Sequence, residues 1–188
     1  MKPRALLDAN VLYPAMLRSL LIDLAVADLY AAFWTNEIHD EWIRKLASHR
    51  PELDRAKLER TRALMDQALE TALLTDVPPL AAAITLPDGD DRHVLAAALH
   101  AGADVIVTQN LRDFPVQVLE PLGLQAVAPE NFLLKRLGAD PHRLTGAVRA
   151  GRLRLRAPPF TAQAYLAALA PQGLPLLAAA LDPVVQDG

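Results

Sequence analysis

The residues best suited to chemistry in this chain are acidic. Asp8 stands between apolar runs in "RALLDANVL" (4–12), and Glu41 lies in "EIHDEWIRKL" (37–46). Asp90 and Asp91 follow one another in "LPDGDDRHVL" (86–95), and Asp113 lies in "NLRDFP" (110–115). Burying an unpaired carboxylate among aliphatic side chains costs about 5 kcal/mol or more. Asp8 must therefore escape to a loop or meet something positive. Several carboxylates drawn together repel, and each then raises its neighbours' pKa unless a cation intervenes. Mg²⁺ or Mn²⁺ suits such a cluster, because hard divalent ions prefer oxygen ligands. A bound divalent ion can activate water, orient a phosphodiester and stabilise the leaving oxygen. Four acids without histidine or cysteine ligands thus suggest metal-assisted phosphodiester hydrolysis.

The elements needed to bring these acids together are legible in the apolar pattern. Residues 4–7 read as a short buried strand, "AAFW" (31–34) as a second, "ADVIVTQ" (103–109) as the strongest and "LQAVAP" (124–129) as a weaker one. Pro14 suits the first turn of a helix carrying Leu17, Leu20, Leu21, Leu24 and Leu29. Thr35 or Asn36 can cap a helix whose one face holds Ile38, Trp42, Ile43 and Leu46. A long charged helix is predicted from Pro51 to about Leu74, followed by a turn-rich connection over 75–90. Asp88 can cap the next helix, and Gly102 ends it. Strands alternating with helices predict a parallel sheet covered on both faces. Ligands bind such sheets beyond the carboxyl ends of the strands. Asp8, and Thr108 with Asn110, fall at those ends.

Composition narrows the class. The chain has 188 residues, 52% of them hydrophobic, a net charge of −3 and no cysteine. It is no general polyanion binder, and thiolate metal sites, disulfides and cysteine nucleophiles are excluded. The first apolar run is too short for a signal peptide, and the alanine- and leucine-rich tail is broken by prolines and Gly173, so a soluble cytoplasmic protein is expected, with no membrane span. After Gly138 the character changes. Lys135, Arg136, Arg143, Arg149, Arg152, Arg154 and Arg156 face the single acid Asp140. "RLRLR" (152–156) alternates like a strand with a basic face, and the segment from Phe160 onward reads as one or two apolar helices. The arginines are a solvated face or a contact for RNA or a partner.

"LLDANVL", "EIHDEWIRKL" and "LPDGDDRHVLAAALHAGADVIVTQNLRDFP", in that order, resemble the PIN-domain family, in particular the bacterial VapC-like toxin ribonucleases. The resemblance covers roughly residues 4–137. It implies a three-layer α/β/α domain with a central, mostly parallel sheet over 1–137. A small, mainly helical C-terminal extension would occupy 138–188. It also implies that Asp8, Glu41, Asp91 and Asp113 are the catalytic metal ligands. Asn10, Thr108 and Asn110 would hold them by hydrogen bonds. Glu37 competes with Glu41, and Asp90 with Asp91. The implied activity is an Mg²⁺- or Mn²⁺-dependent endoribonuclease, the toxin of a toxin–antitoxin pair. Its partners would be RNA, a cognate antitoxin and a second copy of the chain in a homodimer. A PIN nuclease of RNA maturation without an antitoxin, and a PIN-like module that binds RNA or protein without cleaving, are the alternatives. A phospho-acceptor signalling domain also has a parallel sheet, but it needs an acid pair after its first strand and a lysine after its last. "LLDAN" and "LQAVAP" supply neither. Trp34, Trp42 and the histidines, His93 among them, read as packing or surface residues.

Overall fold

A computed structural model describes residues 2–155 and 159–185. Five strands, β1 (Arg4–Leu7), β2 (Ala31–Thr35), β3 (Leu73–Leu74), β4 (Val105–Val107) and β5 (Gln125–Val127), form one sheet in the order β3-β2-β1-β4-β5. Every pairing is parallel. Ala5, Leu6 and Leu7 of the central strand are wholly buried, as a strand covered on both faces requires. The register sets Leu6 beside Phe33 on one side and Ile106 on the other.

The chain leaves β1 through a one-turn helix α1 (Ala9–Leu12) and α2 (Ala15–Val26), with Pro14 preceding the latter. β2 runs directly into α3 (Asn36–His49), and Thr35 caps it by accepting from the Ile38 N–H at 3.2 Å. The charged helix predicted from Pro51 to Leu74 is shorter. It is α4 (Arg55–Ala68), capped by Asp54, and Leu73–Leu74 beyond it pair with Trp34 and Thr35 as the edge strand β3. Two residues carry no period, so propensity could not separate this strand from the helix before it. α5 (Arg92–His100) then packs on β1, β2 and β4, and Gly102, at φ +55°, ends the turn that follows it. Connections β1–β2 and β2–β3 travel one way along the sheet, and β3–β4 and β4–β5 the other. Right-handed crossovers therefore put α2–α4 and α5 on opposite faces, giving three layers.

After α6 (Val116–Leu119) and β5 come α7 (Pro129–Ala139), α8 (Pro141–Arg154), α9 (Ala162–Leu169) and α10 (Pro175–Val185). Of the strand read from "RLRLR", Arg152, Leu153 and Arg154 instead end α8 and Leu155 is its C-cap. Asp140 caps that helix at the Arg143 N–H (3.0 Å), and Leu144, Val148 and Gly151 bury one face at helical spacing. Arg156 lies outside the described residues. Three other arginines of this segment are engaged inward or with acids of α2 and its flank. Arg154 pairs with Asp23, Arg143 lies 3.8 Å from Asp28, and Arg152 donates to the Phe160 carbonyl at 2.8 Å. α8 packs on α2, and Phe132 of α7 meets Tyr30 edge-on at 4.9 Å. One apolar cluster runs unbroken from Leu6 to Leu181. No helix among the described residues is long and apolar enough to cross a membrane. Leu144→Ala is expected to lower stability by about 2–5 kcal/mol. Because the core is continuous, the loss should appear in a single unfolding transition followed by circular dichroism.

Candidate active site

Asp8 and Thr108 are held at the carboxyl ends of adjacent central strands by two further rungs of the ladder. The Asp8 N–H donates to the Val107 carbonyl (3.1 Å), and the Thr108 N–H to that of Val127 (3.0 Å). The order of the strands reverses between β1 and β4, the usual place for a site in an open parallel sheet. Asp8 is 3% exposed and Thr108 fully buried. The Thr108 hydroxyl donates to Asp8 Oδ2 (2.7 Å) and accepts from the Asn110 N–H (3.0 Å). Asn10 Nδ2 donates to both Asp8 Oδ2 (2.6 Å) and Thr108 Oγ1 (2.8 Å), while its Oδ1 accepts from the Gln109 N–H (3.0 Å). Asn110 in turn donates to Asp113. Asp8 thus neither escapes to a loop nor, among the described residues, forms a salt bridge: neutral donors hold it.

These residues form the floor of a cleft of about 500 Å³. Its acids are Asp8, Glu37, Asp40, Glu41, Asp88, Asp90, Asp91 and Asp113; Arg44, Lys45 and His93 are its basic groups. α3 supplies Glu41, whose Oε1 accepts from Lys45 at 2.6 Å and whose Oε2 lies 3.6 Å from His93 Nε2. The turn capped by Asp88 supplies Asp91. Burial pushes the Asp8 carboxyl up, partly countered by Thr108, and Glu41 adds to the rise. Burial, then the charges of Asp8, Asp113, Asp88 and Glu41, push Asp91 up to about 6. Glu41 goes the other way, held down to about 2, first by His93 and then by Lys45. Burial of His93 disfavours its cation, but Glu41, Glu37 and Asp8 together outweigh that and raise its pKa.

The four expected ligands Asp8, Glu41, Asp91 and Asp113 reach this region, as do Asn10, Thr108, Asn110 and Asp90. The open alternatives separate by environment. The Glu41 side chain is 20% exposed and Glu37 68%, and Asp91 senses all three of the other expected ligands whereas Asp90 is exposed. His93, read from sequence as a packing residue, lines the cleft, as do Arg44 and Lys45. The i, i+4 spacing of Glu41 and Lys45 signalled their pairing; the approach of His93 to α3 depends on a packing of helices that no local pattern shows. Among the described residues, no three His, Asp or Glu side chains stand close enough to hold one ion together. The donor set nonetheless suits a hard divalent cation, since every candidate ligand offers carboxylate oxygen and two of them are desolvated with no salt bridge among the described residues. Like charges spread apart when nothing positive stands between them.

Residues 4–112 match the sequence profile described as "PIN domain". The chain belongs to the PIN-domain family. Beyond this domain, residues 129–183 match the profile described as "VapC50 C-terminal domain". The chain is also similar to a Mycobacterium tuberculosis protein named "Putative ribonuclease VapC50", with 45% identity over 83 residues. That alignment covers 44% of this chain and 48% of the relative, so the match spans about half of the relative's length. No solved structure shows a significant match.

Asp8, Asp91 and His93 all bind protons more tightly when this PIN domain is folded. Stability linked to them is therefore lost as pH rises, for Asp91 through the interval from its ordinary 3.8 to about 6. The contribution of Glu41 is already complete above its ordinary 4.5. Without divalent ions, the melting temperature should fall between about pH 5 and about pH 7.5. Mg²⁺ or Mn²⁺ should restore it at the higher pH and do little at the lower; thermal melts with chelator and with metal check this. Thr108→Val removes the hydroxyl that orients Asp8. It should weaken Mn²⁺ binding roughly 10–100-fold, read by titration calorimetry.

Proposed function

We propose that this PIN domain is a divalent-metal-dependent endoribonuclease, the toxin of a toxin–antitoxin pair. One observation carries the reading: acids from β1, α3, the turn before α5 and the turn after β4 line a single cleft. Asp8 is desolvated on its floor and Asp91 is raised to about 6. Such a surplus of negative charge repels a phosphodiester until a cation enters. Asp8, Glu41, Asp91 and Asp113 would hold Mg²⁺ or Mn²⁺. When bound, that ion supplies charge neutralisation at the phosphate and acidification of water.

The chain's own side chains do the rest. Thr108 and Asn10 fix the orientation of Asp8, so that its charge is in place before substrate arrives. Asn110 does the same for Asp113. Lys45 holds Glu41 ionised, and Lys45 and Arg44 are the cationic groups that face an incoming phosphate. Hydrolysis adds water across one P–O bond, leaving a phosphate monoester and a hydroxyl. The similarity to a protein named as a ribonuclease supports RNA as the substrate. The "VapC50 C-terminal domain" match supports the toxin assignment, and with it a small antitoxin partner. An antitoxin segment bearing arginine suits the cleft by charge, because guanidinium pairs with carboxylates in two-pronged geometry.

Asp8→Asn keeps the shape and the acceptor for Thr108 but removes the charge. RNA cleavage should fall by more than the roughly 10–100-fold that loss of a supporting partner costs, with an unchanged circular dichroism spectrum. Chelator should abolish cleavage by the native chain, and Mg²⁺ or Mn²⁺ should restore it. Cleavage that survives both changes contradicts the proposal.

A further inference from the structure

Beside the acidic cleft lies a second cavity of about 710 Å³, at the carboxyl ends of β2 and β3. The two share Glu37 and His93, so they are neighbouring compartments of one depression. Their linings differ in kind. Along the second cavity Leu74, Val77, Pro78, Pro79, Leu80 and Ala96 give apolar surface, and Thr35, Asn36 and Thr75 give uncharged polar groups. Its charges are the acids Glu37 and Asp76, with Arg92 and the shared His93. Arg92 is committed elsewhere. Its guanidinium donates to the carbonyls of Ile84, Leu80 (3.0 Å) and Ala81 (3.1 Å). That grip ties the loop walling the cavity to the helix directly after Asp91. Asp76 adopts φ +57°, a turn that a side chain makes only at some cost, and the Pro78-Pro79 pair stiffens the chain beyond it. The wall is therefore built and anchored.

A phosphate does not suit this cavity, because Glu37 and Asp76 repel it and Arg92 is occupied. A flat, uncharged group with polar edges does suit it, and the volume is ample for a nucleoside. We propose that this cavity seats the nucleobase flanking the scissile phosphate of an RNA strand whose backbone crosses the acidic cleft. The proposal rests on the nuclease reading above and adds to it a base-recognising wall, residues 74–80 with Ala96. Ala96 faces the cavity from α5, so Ala96→Leu fills it.

Fluorescence anisotropy tests this with labelled single-stranded RNA oligomers in Ca²⁺, one intact and a series each bearing a single abasic position. The native chain should lose at least about fivefold in affinity at one or two adjacent positions. Ala96→Leu should bind the intact and abasic oligomers alike. Thr75→Asp, in the exposed part of the wall, should do the same and decides the matter if Ala96→Leu fails to fold. Equal binding of every oligomer by the native chain, no binding at all, or discrimination retained in the folded variants overturns the proposal. The nuclease reading is tested separately, by Mg²⁺-dependent cleavage in the native chain. Cleavage without base discrimination removes the seat and leaves the nuclease, and discrimination without cleavage does the reverse.

Discussion

A carboxylate held almost out of water at the end of the central strand is the constraint on which the rest of the molecule depends. Asp8 is 3% exposed, and among the described residues no salt bridge to it is formed. The fold tolerates it because β1 and β4 each extend one residue past their strands, so that Thr108 and Asn10 converge on one oxygen. These donors are neutral. They lessen the cost of desolvation but add no opposing charge, and the carboxyl's pKa stays raised. Asp91, on another crossover, feels part of that charge and is raised as well. Glu41 is instead neutralised, by Lys45 and His93. The cleft thus sets a compensated wall against an uncompensated centre.

A buried polar chain sets where α3 presents Glu41. Trp42 Nε1 donates to His39 Nδ1 at 3.0 Å, which fixes the proton of that ring on Nε2, facing Asp66 at 3.1 Å. Trp34 Nε1 donates to the same Asp66 oxygen at 2.8 Å. Over the Trp42 ring lies the guanidinium of Arg18, 4.7 Å from its centroid. Arg18 also donates to the Leu12 carbonyl at 2.5 Å, at the end of the helix that begins just after Asp8. One cation therefore braces the two elements that carry Asp8 and Glu41. Burial without a carboxylate partner draws its pKa down to about 10, so it stays charged at neutral pH.

The sheet, its layers and the acids of the cleft were legible because they rest on local signals. Apolar runs such as 4–7 and 103–109, Thr35 before a helix, Asp88 before the turn that leads into another and Gly102 after that helix each speak for themselves. β3 was not legible, since Leu73–Leu74 become a strand only by pairing with Trp34 and Thr35. Nor was the end of α8: five alternating residues fit a strand as well as a helix, and only the buried row Leu144, Val148 and Gly151 decides between them. His93 was misjudged for a similar reason. Its type and spacing are those of a packing residue, and its partners Glu41 and Glu37 come from a helix some fifty positions earlier. The apolar cavity next to the cleft leaves no trace in composition, because its wall looks like any proline-rich connection.

Every residue that lines the acidic cleft lies between Asp8 and Asp113. The helices beyond Pro129 grip α2 instead, through Leu144 and Val148 packing and the ties from Arg143 and Arg154 to Asp28 and Asp23. α2 buries the face bearing Leu17, Leu20, Leu21 and Leu24, and α8 packs on the same helix. A chain cut short before them would keep every cleft residue yet uncover a broad oily surface. The tail thus acts on the cleft only at a distance, by covering the helix that follows the strand bearing Asp8.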